Sequence, residues 1–185
     1  MQQHYKMTIA GKERELPMFP INDKLQIAAF IMFGDFEITV ESAKALAKKA
    51  PDFDVLITAE SKGIPLAHEF ARITGKDYIV ARKSPKLYMS GIVSTEVDSI
   101  TTAGTQKLCL GSSDADKMKD KKVLILDDVI STGESLLALE KLVALCGGNI
   151  AGCMAVLAEG EAADRDDIIF LEKLPLFDME GNPIA

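Results

Sequence analysis

Two adjacent acids and a run of small hydroxyl residues follow one short aliphatic stretch of the chain. The stretch is Val123–Leu126; Asp127 and Asp128 come directly after it, and Ser131–Ser135 follow where a helix is predicted to begin. Open α/β sheets bind ligands at the carboxyl ends of their strands, and a helix N-terminus binds phosphate through its backbone N–H groups. Adjacent carboxylates accept hydrogen bonds from sugar hydroxyls and help to hold a hydrated Mg²⁺. The pattern therefore predicts a site for a phosphorylated ribose.

Other interpretations of this segment agree less well with its residues. Two acids before a helix also serve as ordinary capping groups, but capping does not need the Thr-Gly-x-Ser pattern of Thr132–Ser135. The acidic pocket of response regulators lies near the start of its domain, whereas 126 residues precede Asp127. The nucleotide P-loop pattern G-x-x-x-x-G-K-[ST] is absent from the sequence.

The elements that must position this segment have the pattern of an α/β protein. Short aliphatic runs alternate with helical segments, as a parallel sheet buried on both faces requires. The predicted strands are Tyr5–Ile9, Glu13–Leu16, Asp54–Ala59, Tyr78–Ala81, Val123–Leu126, Ile150–Leu157 and Ile168–Leu171, and the predicted helices are Glu37–Lys49, Pro65–Ile73 and Glu134–Leu145. We expect the first two strands to form a hairpin and Pro17–Pro20 to be irregular. The whole chain, residues 1–185, is predicted to form one domain with a central, mainly parallel twisted sheet flanked by helices.

One stretch, Lys83–Gly104, interrupts this alternation. Its Ser, Thr and Gly content and its weak periodicity predict a long mobile loop with marginal strand pairing, and long loops in compact domains are usually functional. A peripheral hairpin at the edge of the sheet fits the periodicity equally well.

Composition and charge exclude several classes of function. The chain has 48% hydrophobic and 26% charged residues, which is typical of a globular protein and not of a disordered one. Its net charge of −7 argues against broad adhesion to nucleic acid or to anionic membranes. Three cysteines without a C-x-x-C pair suggest neither a disulfide framework nor a zinc site, and no apolar run is long enough to span a bilayer. We expect a cytoplasmic protein without a nucleic-acid or membrane partner.

The segment Val123–Ser135 resembles the phosphoribosyl pyrophosphate motif of the type I phosphoribosyltransferases, with four hydrophobic residues, two acids and a closing T-G-x-[ST]. Thr58–Gly63 is similar to the pyrophosphate loop of adenine phosphoribosyltransferases, and Ala81–Leu87 resembles their basic segment before the flexible loop. The three motifs stand in the family's order. The resemblance implies the type I phosphoribosyltransferase fold, with a small N-terminal hood of about residues 1–35 and a flexible loop of about residues 83–104.

The resemblance also assigns roles to the matching residues. Asp127 and Asp128 would bind the ribose hydroxyls, take part in catalysis, and help to hold the Mg²⁺ that the substrate brings. The remaining residues implied to bind the donor are Glu60, Ser61, Lys62 and Gly63 at the pyrophosphate, Arg82, Lys83 and Lys86 in the basic segment, and Val129, Ile130, Ser131, Thr132, Gly133, Glu134 and Ser135 around the 5′-phosphate. The pyrophosphate loop of this family often holds a non-proline cis peptide bond. The basic residues, of which Arg82 and Lys86 would be catalytic, often come from the neighbouring subunit in such dimers, so a homodimer is expected.

The implied activity is that of a purine phosphoribosyltransferase of adenine type, acting in purine salvage. Such an enzyme transfers 5-phosphoribose to a base nitrogen and releases pyrophosphate through a transition state with oxocarbenium character. Mg²⁺ and the basic groups stabilise the departing pyrophosphate, while the flexible loop excludes water.

The base is expected between the hood and the segment that follows the strand after the donor motif. Asn22 would read a purine edge with its amide, Glu159 would accept a hydrogen bond from the base, Phe19 would stack on it, and Leu157 would line the site. The alternatives are a turn residue for Asn22, a solvent-exposed acid for Glu159 and a core side chain for Phe19.

Some residues depart from the adenine pattern. Hypoxanthine-guanine enzymes carry an aspartate near the purine N7 where this chain has Ser131, so the departure points away from that class. Adenine enzymes commonly have Glu-Tyr-Gly in the flexible loop, where this chain has Thr102-Ala103-Gly104. The loop sequences Val93-Ser94 and Ile100-Thr101-Thr102 are more similar to those of xanthine phosphoribosyltransferases and of the purine-operon repressor of similar fold.

Alternatives to the adenine enzyme therefore stay open. One is a xanthine-type enzyme. Another is a non-catalytic regulator that senses phosphoribosyl pyrophosphate; such regulators carry a DNA-binding domain, for which too few residues precede Asp54, and the net charge of −7 disfavours DNA. The Glu60 loop argues against a pyrimidine or orotate enzyme.

Overall fold

A hairpin opens the chain in the computed structural model, which describes residues 3–98 and 105–184. Strands β1 (His4–Ile9) and β2 (Lys12–Pro20) pair antiparallel. They are joined by Ala10 and Gly11, both of which have positive φ, as a two-residue hairpin turn requires. The predicted hairpin is confirmed.

The prediction that Pro17–Pro20 is irregular is wrong, because β2 continues through Pro20 and pairs with β3 (Gln26–Ala28). A proline lacks the N–H donor, but its carbonyl still accepts. The Pro17 carbonyl accepts a hydrogen bond from the Ala29 N–H at 2.8 Å, so the strand keeps its bonding on that side.

Helices and strands alternate through the rest of the chain. In order they are α1 (Phe36–Ala47), β4 (Val55–Ala59), α2 (Ile64–Thr74), β5 (Asp77–Ala81), β6 (Val93–Asp98), β7 (Thr105–Leu110), α3 (Ser112–Asp116), β8 (Lys122–Ile130), α4 (Glu134–Leu145), β9 (Asn149–Glu159), a 3₁₀ turn (Gly160–Asp164), β10 (Ile168–Leu174), β11 (Leu176–Phe177) and β12 (Pro183–Ile184). Within the described part of the chain, no helix is both long and apolar enough to cross a membrane.

The central sheet has the order β10-β9-β8-β4-β5, and all of its neighbouring strands are parallel. The predicted parallel sheet is confirmed. Because parallel strands end at the same edge, the segments that follow β4, β5, β8 and β9 meet at one side of the molecule.

Strand β8 shows why this sheet is buried on both faces. Leu124 and Leu126 belong to the apolar core that also contains α1, α2 and the first strands, whereas Val123 and Ile125 pack in a second core with α4. Alternate side chains of a strand point to opposite faces, so a continuous aliphatic run fills both cores at once.

A second sheet, which we call the hood sheet, joins the two ends of the chain in the order β1-β2-β3-β11-β12. The buried Gln26 amide donates to the carbonyls of Asp178 and Met179 at 3.0 and 3.1 Å. The rings of Tyr5 and Phe177 lie 4.8 Å apart. The hood sheet therefore contains the C-terminal strands β11 and β12 in addition to β1, β2 and β3.

For the segment Lys83–Gly104 the structure favours the hairpin alternative and corrects the loop prediction at residues 93–98. Residues 83–92 form neither helix nor strand, but β6 pairs antiparallel with β7. The buried Thr95, Leu108 and Leu110 anchor this hairpin beside α4, and their alternation is the signal for a strand pair. Residues 99–104, including Thr102-Ala103-Gly104, lie outside the described residues.

Candidate active site

Four segments converge at the carboxyl edge of the central sheet. A cavity of about 190 Å³ lies between them, lined by residues 59–62 after β4, Lys83 after β5, Asp127–Val129 at the end of β8, Leu108 and Ser135. A smaller cavity of about 100 Å³ continues from it along Asp127 and residues 129–136 at the start of α4. The two cavities form one continuous polar cleft at the sheet edge.

The acid pair lies at the bottom of this cleft. The Asp128 N–H donates to Asp127 Oδ1 at 2.9 Å, and Lys62 Nζ lies 2.9 Å from Asp128 Oδ2, whose side chain is only 5% exposed. Burial and the neighbouring Asp128 carboxylate raise the pKa of Asp127 well above its usual value. The pair thus combines a carboxylate paired with a lysine and a carboxyl group that readily holds a proton.

The loop after β4 passes directly over these acids. A Cβ added at Gly63 would collide with Thr58 Oγ1 and lie 3.1 Å from Asp127 Oδ1, so only glycine fits there. The peptide bond between Glu60 and Ser61 is cis. Gly63 is the N-cap residue of α2, so the loop presents its backbone at a helix N-terminus, where N–H groups are available to an anion.

The Glu60 carboxylate holds the basic segment against this loop. It accepts a hydrogen bond from the Lys83 N–H at 2.6 Å and another from Arg82 Nη1 at 3.3 Å. Burial alone would raise the pKa of Glu60, but these two donors and the positive charge of Lys86 outweigh it and lower the pKa. Arg82 is fixed further by paired backbone bonds with Cys109, at 2.8 and 2.9 Å. The cations are therefore collected beside the Glu60–Gly63 loop of their own chain.

The segment Ser131–Ser135 forms a tight turn into α4. Gly133 has a φ of +81°, a conformation that glycine adopts without strain, and the helix begins at the next residue. The smaller cavity is lined by residues 131–136, which include the start of α4 and the hydroxyl-bearing Ser131, Thr132 and Ser135. This arrangement is chemically suited to a phosphate.

A third cavity, of about 370 Å³, adjoins this turn, shares Ser131 and Thr132 with the smaller cavity and reaches β9 and the hood strand β11. It is lined by Ser131, Thr132, Glu159, Gly160, Glu161, Ala162, Arg165 and Leu176. Glu159 is half-buried; burial raises its pKa, while the Ser131 hydroxyl that hydrogen-bonds its carboxylate and the charge of Lys62 oppose this effect. The cavity thus offers a shielded carboxyl group a short distance from the acid pair.

Comparison with known proteins identifies this combination of loops. A sequence profile described as phosphoribosyl transferase domain matches residues 37–184, which is most of the chain. The chain belongs to this family.

Named relatives in the family include several purine enzymes. The adenine phosphoribosyltransferase of Acetivibrio thermocellus is 33% identical over 150 residues, which are 79% of this chain and 84% of the relative. The hypoxanthine/guanine phosphoribosyltransferase of Methanothermococcus okinawensis is 32% identical over 114 residues, 62% of this chain, and the chain spans only 58% of that relative's length. Xanthine phosphoribosyltransferases of Streptococcus agalactiae match at 30% identity over 71% of this chain and 69% of theirs.

A solved structure agrees with the family. The adenine phosphoribosyltransferase of Thermoanaerobacter pseudethanolicus superposes with a TM-score of 0.65 at 26% identity, covering 77% of this chain and 84% of that one. The predicted family and the predicted type I phosphoribosyltransferase fold are thereby confirmed.

Most of the predicted donor-binding residues of this phosphoribosyltransferase domain come together. The first two cavities are lined by Glu60, Ser61, Lys62, Lys83, Asp127, Asp128, Val129, Ile130, Ser131, Thr132, Gly133, Glu134 and Ser135. Gly63 and Arg82 lie beside them through the contacts described above. Lys86 Nζ donates to Ser84 Oγ at 3.2 Å, and its charge reaches Glu60. The roles of these residues stay predictions.

The predicted base-binding residues are not brought together. Glu159 lines the third cavity and is not the solvent-exposed acid of the alternative. The Asn22 side-chain carbonyl instead accepts the N–H groups of Lys24 and Leu25 at 2.8 and 2.9 Å, which is the turn alternative. Phe19 is 44% exposed on the hood, so the core alternative is wrong, and Leu157 is fully buried in the apolar core.

Sequence reasoning missed Arg165 and Leu176, which both line the third cavity. Neither belongs to a motif that the sequence analysis found. A signal was available for Arg165, because it is a cation four residues beyond Leu157–Glu161, the segment expected at the base.

Proposed function

We propose that the protein is a purine phosphoribosyltransferase of adenine type, which converts phosphoribosyl pyrophosphate and adenine to the nucleoside monophosphate and pyrophosphate. In this reaction the bond from C1′ to the pyrophosphate oxygen breaks, a bond from C1′ to the purine N9 forms, and N9 loses its proton. The observation that carries the proposal is the acid pair of β8 lying between an anion-suited helix turn and a loop lined with cations. One ligand with a phosphate, a diol and a pyrophosphate matches these three parts.

The 5′-phosphate lies in the Ser131–Ser135 turn in this proposal, and the ribose hydroxyls lie on Asp127 and Asp128. The pyrophosphate then faces the backbone of Glu60–Gly63, with Arg82, Lys83 and Lys86 beside it. Support comes from the Glu60 carboxylate, which bonds the Arg82 guanidinium and the Lys83 backbone N–H and so holds the basic segment next to the loop of its own chain. The positive charges of this segment stabilise the pyrophosphate as its negative charge grows.

Lys62 is bound to one member of the acid pair. Its Nζ lies 2.9 Å from Asp128 Oδ2, where a ribose hydroxyl would have to donate. The lysine is half-exposed, so it can swing from the acid to the incoming pyrophosphate at little cost. Donor binding then exchanges one partner of Asp128 for another, which leaves this buried carboxylate paired in both states.

Magnesium fits this site as a companion of the substrate. No group of three or more His, Cys, Asp or Glu side chains that could hold a metal occurs among the described residues. Asp127 and Asp128 alone are two oxygen-bearing groups, so the remaining ligands of Mg²⁺ would be oxygens of the donor and water. Bound there, Mg²⁺ neutralises charge on the departing pyrophosphate.

Adenine is compatible with the chemistry of Glu159. An ionised carboxylate only accepts hydrogen bonds, so it suits the exocyclic amino group of adenine, a base without carbonyl oxygens, whereas xanthine carries carbonyl oxygens beside its ring N–H donors. The Ser131 hydroxyl that bonds Glu159 keeps it turned toward the third cavity. The alternative of a xanthine-type enzyme is decided by the assay below.

The test is turnover with phosphoribosyl pyrophosphate, Mg²⁺ and adenine, hypoxanthine, guanine or xanthine supplied separately. We expect nucleotide formation with adenine and none with the double variant Asp127→Asn/Asp128→Asn. Lys44→Ala, which removes an exposed cation of α1, is a control for general charge effects. Turnover of xanthine alone would replace the adenine proposal, and donor binding without turnover of any base would replace the enzyme with a sensor.

We further propose that the protein works in the cytoplasm as a homodimer. Its cysteines Cys109, Cys146 and Cys153 are free thiols, which a reducing compartment preserves. Leu87 and Tyr88 are exposed next to the basic segment, as an apolar contact with a second chain requires. Light scattering during gel filtration should give twice the mass of the 20.0 kDa chain, and Leu87→Asp with Tyr88→Asp should reduce it to that of a monomer.

A further inference from the structure

Arg165 lies where the 3₁₀ turn after β9 ends, at the wall of the third cavity. Its guanidinium is held by a carboxylate: Nε and Nη2 donate to the two Asp167 oxygens at 2.8 and 2.6 Å. Two parallel bonds of this kind fix the plane of the guanidinium. About a third of the side chain is exposed, so the group is both oriented and accessible to a ligand in the cavity.

The third nitrogen of the guanidinium lies against the turn at the start of α4. A Cβ built on Gly133 would lie 2.8 Å from Arg165 Nη1, which is closer than any ordinary contact. The fork to Asp167 uses Nε and Nη2, so Nη1 is the nitrogen directed at the turn. Arg165 also shares the lining of the third cavity with Ser131 and Thr132, the first two residues of the turn.

The Ser131–Ser135 turn has no positively charged side chain of its own, and Arg165 can supply one. Ser131–Ser135 contains one acid, Glu134, and no lysine or arginine. A phosphate monoester carries about 1.5 to 2 negative charges at pH 7, and a charge-assisted bond from a guanidinium is the strongest kind available to it. The other cations of the site, Arg82, Lys83 and Lys86, belong to the Glu60 side of the cleft.

We propose that Arg165 binds the 5′-phosphate of the donor through Nη1, and that Asp167 is the positioning residue that aims it. This inference rests on the proposed function, because it assumes a phosphorylated sugar at Ser131–Ser135. It adds a cation that stands about 30 residues along the chain from that turn, outside the motif that predicted the phosphate site.

The test compares two ligands that occupy opposite ends of the donor site. Ribose 5-phosphate and pyrophosphate are titrated separately, by calorimetry, into the wild-type protein and into Arg165→Gln. We expect affinity for ribose 5-phosphate to fall by about tenfold to a hundredfold, as for the loss of a charged hydrogen bond, and affinity for pyrophosphate to stay within about twofold. Lys173→Ala is the matched control: it removes one positive charge beside the 3₁₀ turn that precedes Arg165, where Lys173 pairs with Asp164, and should change neither affinity.

The variant Asp167→Asn separates the orientation of the Arg165 guanidinium from its positive charge. It keeps the Arg165 cation but weakens the fork, so the affinity for ribose 5-phosphate should fall less than in Arg165→Gln. An equal loss of affinity for both ligands in Arg165→Gln, or no loss for ribose 5-phosphate, would overturn the inference. Failure of the proposed function gives a different result. The wild-type protein would then turn over no purine, regardless of how Arg165→Gln changes the affinity for ribose 5-phosphate.

Discussion

Replacing Asp127 by asparagine should make the ligand-free protein more stable while it removes donor binding. Burial and the adjacent Asp128 raise the pKa of Asp127, so the folded protein keeps this proton to a higher pH than the unfolded chain does. Stability therefore falls as the pH rises from the unfolded pKa toward the folded one. Asparagine has no charge to bury, and its carbonyl can still accept the Asp128 N–H that now lies 2.9 Å from Asp127 Oδ1.

The gain in the free energy of unfolding cannot exceed the free energy needed to keep an ordinary aspartate protonated at the pH of the experiment. With an unfolded pKa of about 3.9 and about 1.36 kcal/mol for each pH unit, that ceiling is about 5.6 kcal/mol at pH 8 and about 1.5 kcal/mol at pH 5. For a chain of this length each kcal/mol corresponds to about 2–4 °C in melting temperature. We expect Asp127→Asn to melt above wild type at pH 8 by several degrees, and the difference to be smaller at pH 5.

The assay is thermal unfolding at pH 8 and pH 5 without ligand, followed by titration with phosphoribosyl pyrophosphate and Mg²⁺. Asp128→Asn is the control, because it also removes one carboxylate but takes the partner from Lys62. That variant should lose donor binding without the gain in melting temperature. A melting temperature of Asp127→Asn at or below wild type at pH 8, or a gain that is the same at both pH values, would refute the reasoning.

Three further substitutions test other parts of the structure. Gly63→Ala forces a Cβ into Thr58 Oγ1, and overpacking of about 1–3 kcal/mol should lower the melting temperature by several degrees and weaken donor binding in the same titration. Glu60→Gln loosens the basic segment, so KM for the donor should rise about fivefold with little change in kcat, and an unchanged KM would show that the carboxylate does not position the cations. Arg14→Ala breaks the fork to Asp35, the acid that caps α1; because both side chains are partly exposed, a loss of about 1 kcal/mol is expected, seen as a fall of about 2–4 °C with wild-type turnover.

The sequence predicted the central sheet because its signals are local. The alternation of aliphatic runs and helices in the sequence predicts the positions of β4, β8 and β9. Strands that are buried on both faces and joined by helices are expected to pair in parallel. The acid pair and the Ser131–Ser135 turn could be found in the same way, because a strand end, two acids and a helix start are contiguous in the chain.

The features that were missed depend on residues far apart in sequence. Pro17 and Pro20 indicate a break, yet pairing with β3 extends β2 through them. Asn22 was assigned to the base because its amide can read a purine, but the same amide closes its own turn, and sequence alone does not rank the two uses. Arg165 becomes informative only when folding brings it against Gly133.

The closure of the hood by C-terminal strands has a consequence for the order of folding. Gln26 bonds the carbonyl of Asp178, 152 residues further along, whereas β1 and β2 are joined by a two-residue turn. Closing a loop of that length costs about 2.4 kcal/mol more entropy than closing one of ten residues, so the hood should complete after the central sheet. Leu176, which lines the third cavity, then belongs to a part of the fold that forms late and opens separately from the central sheet. In native-state hydrogen exchange, the backbone amides of this part should exchange with solvent faster than those of β8. A chain that ends before Leu176 would keep the acid pair and the Ser131–Ser135 turn but would lack the wall that Leu176 gives to the third cavity.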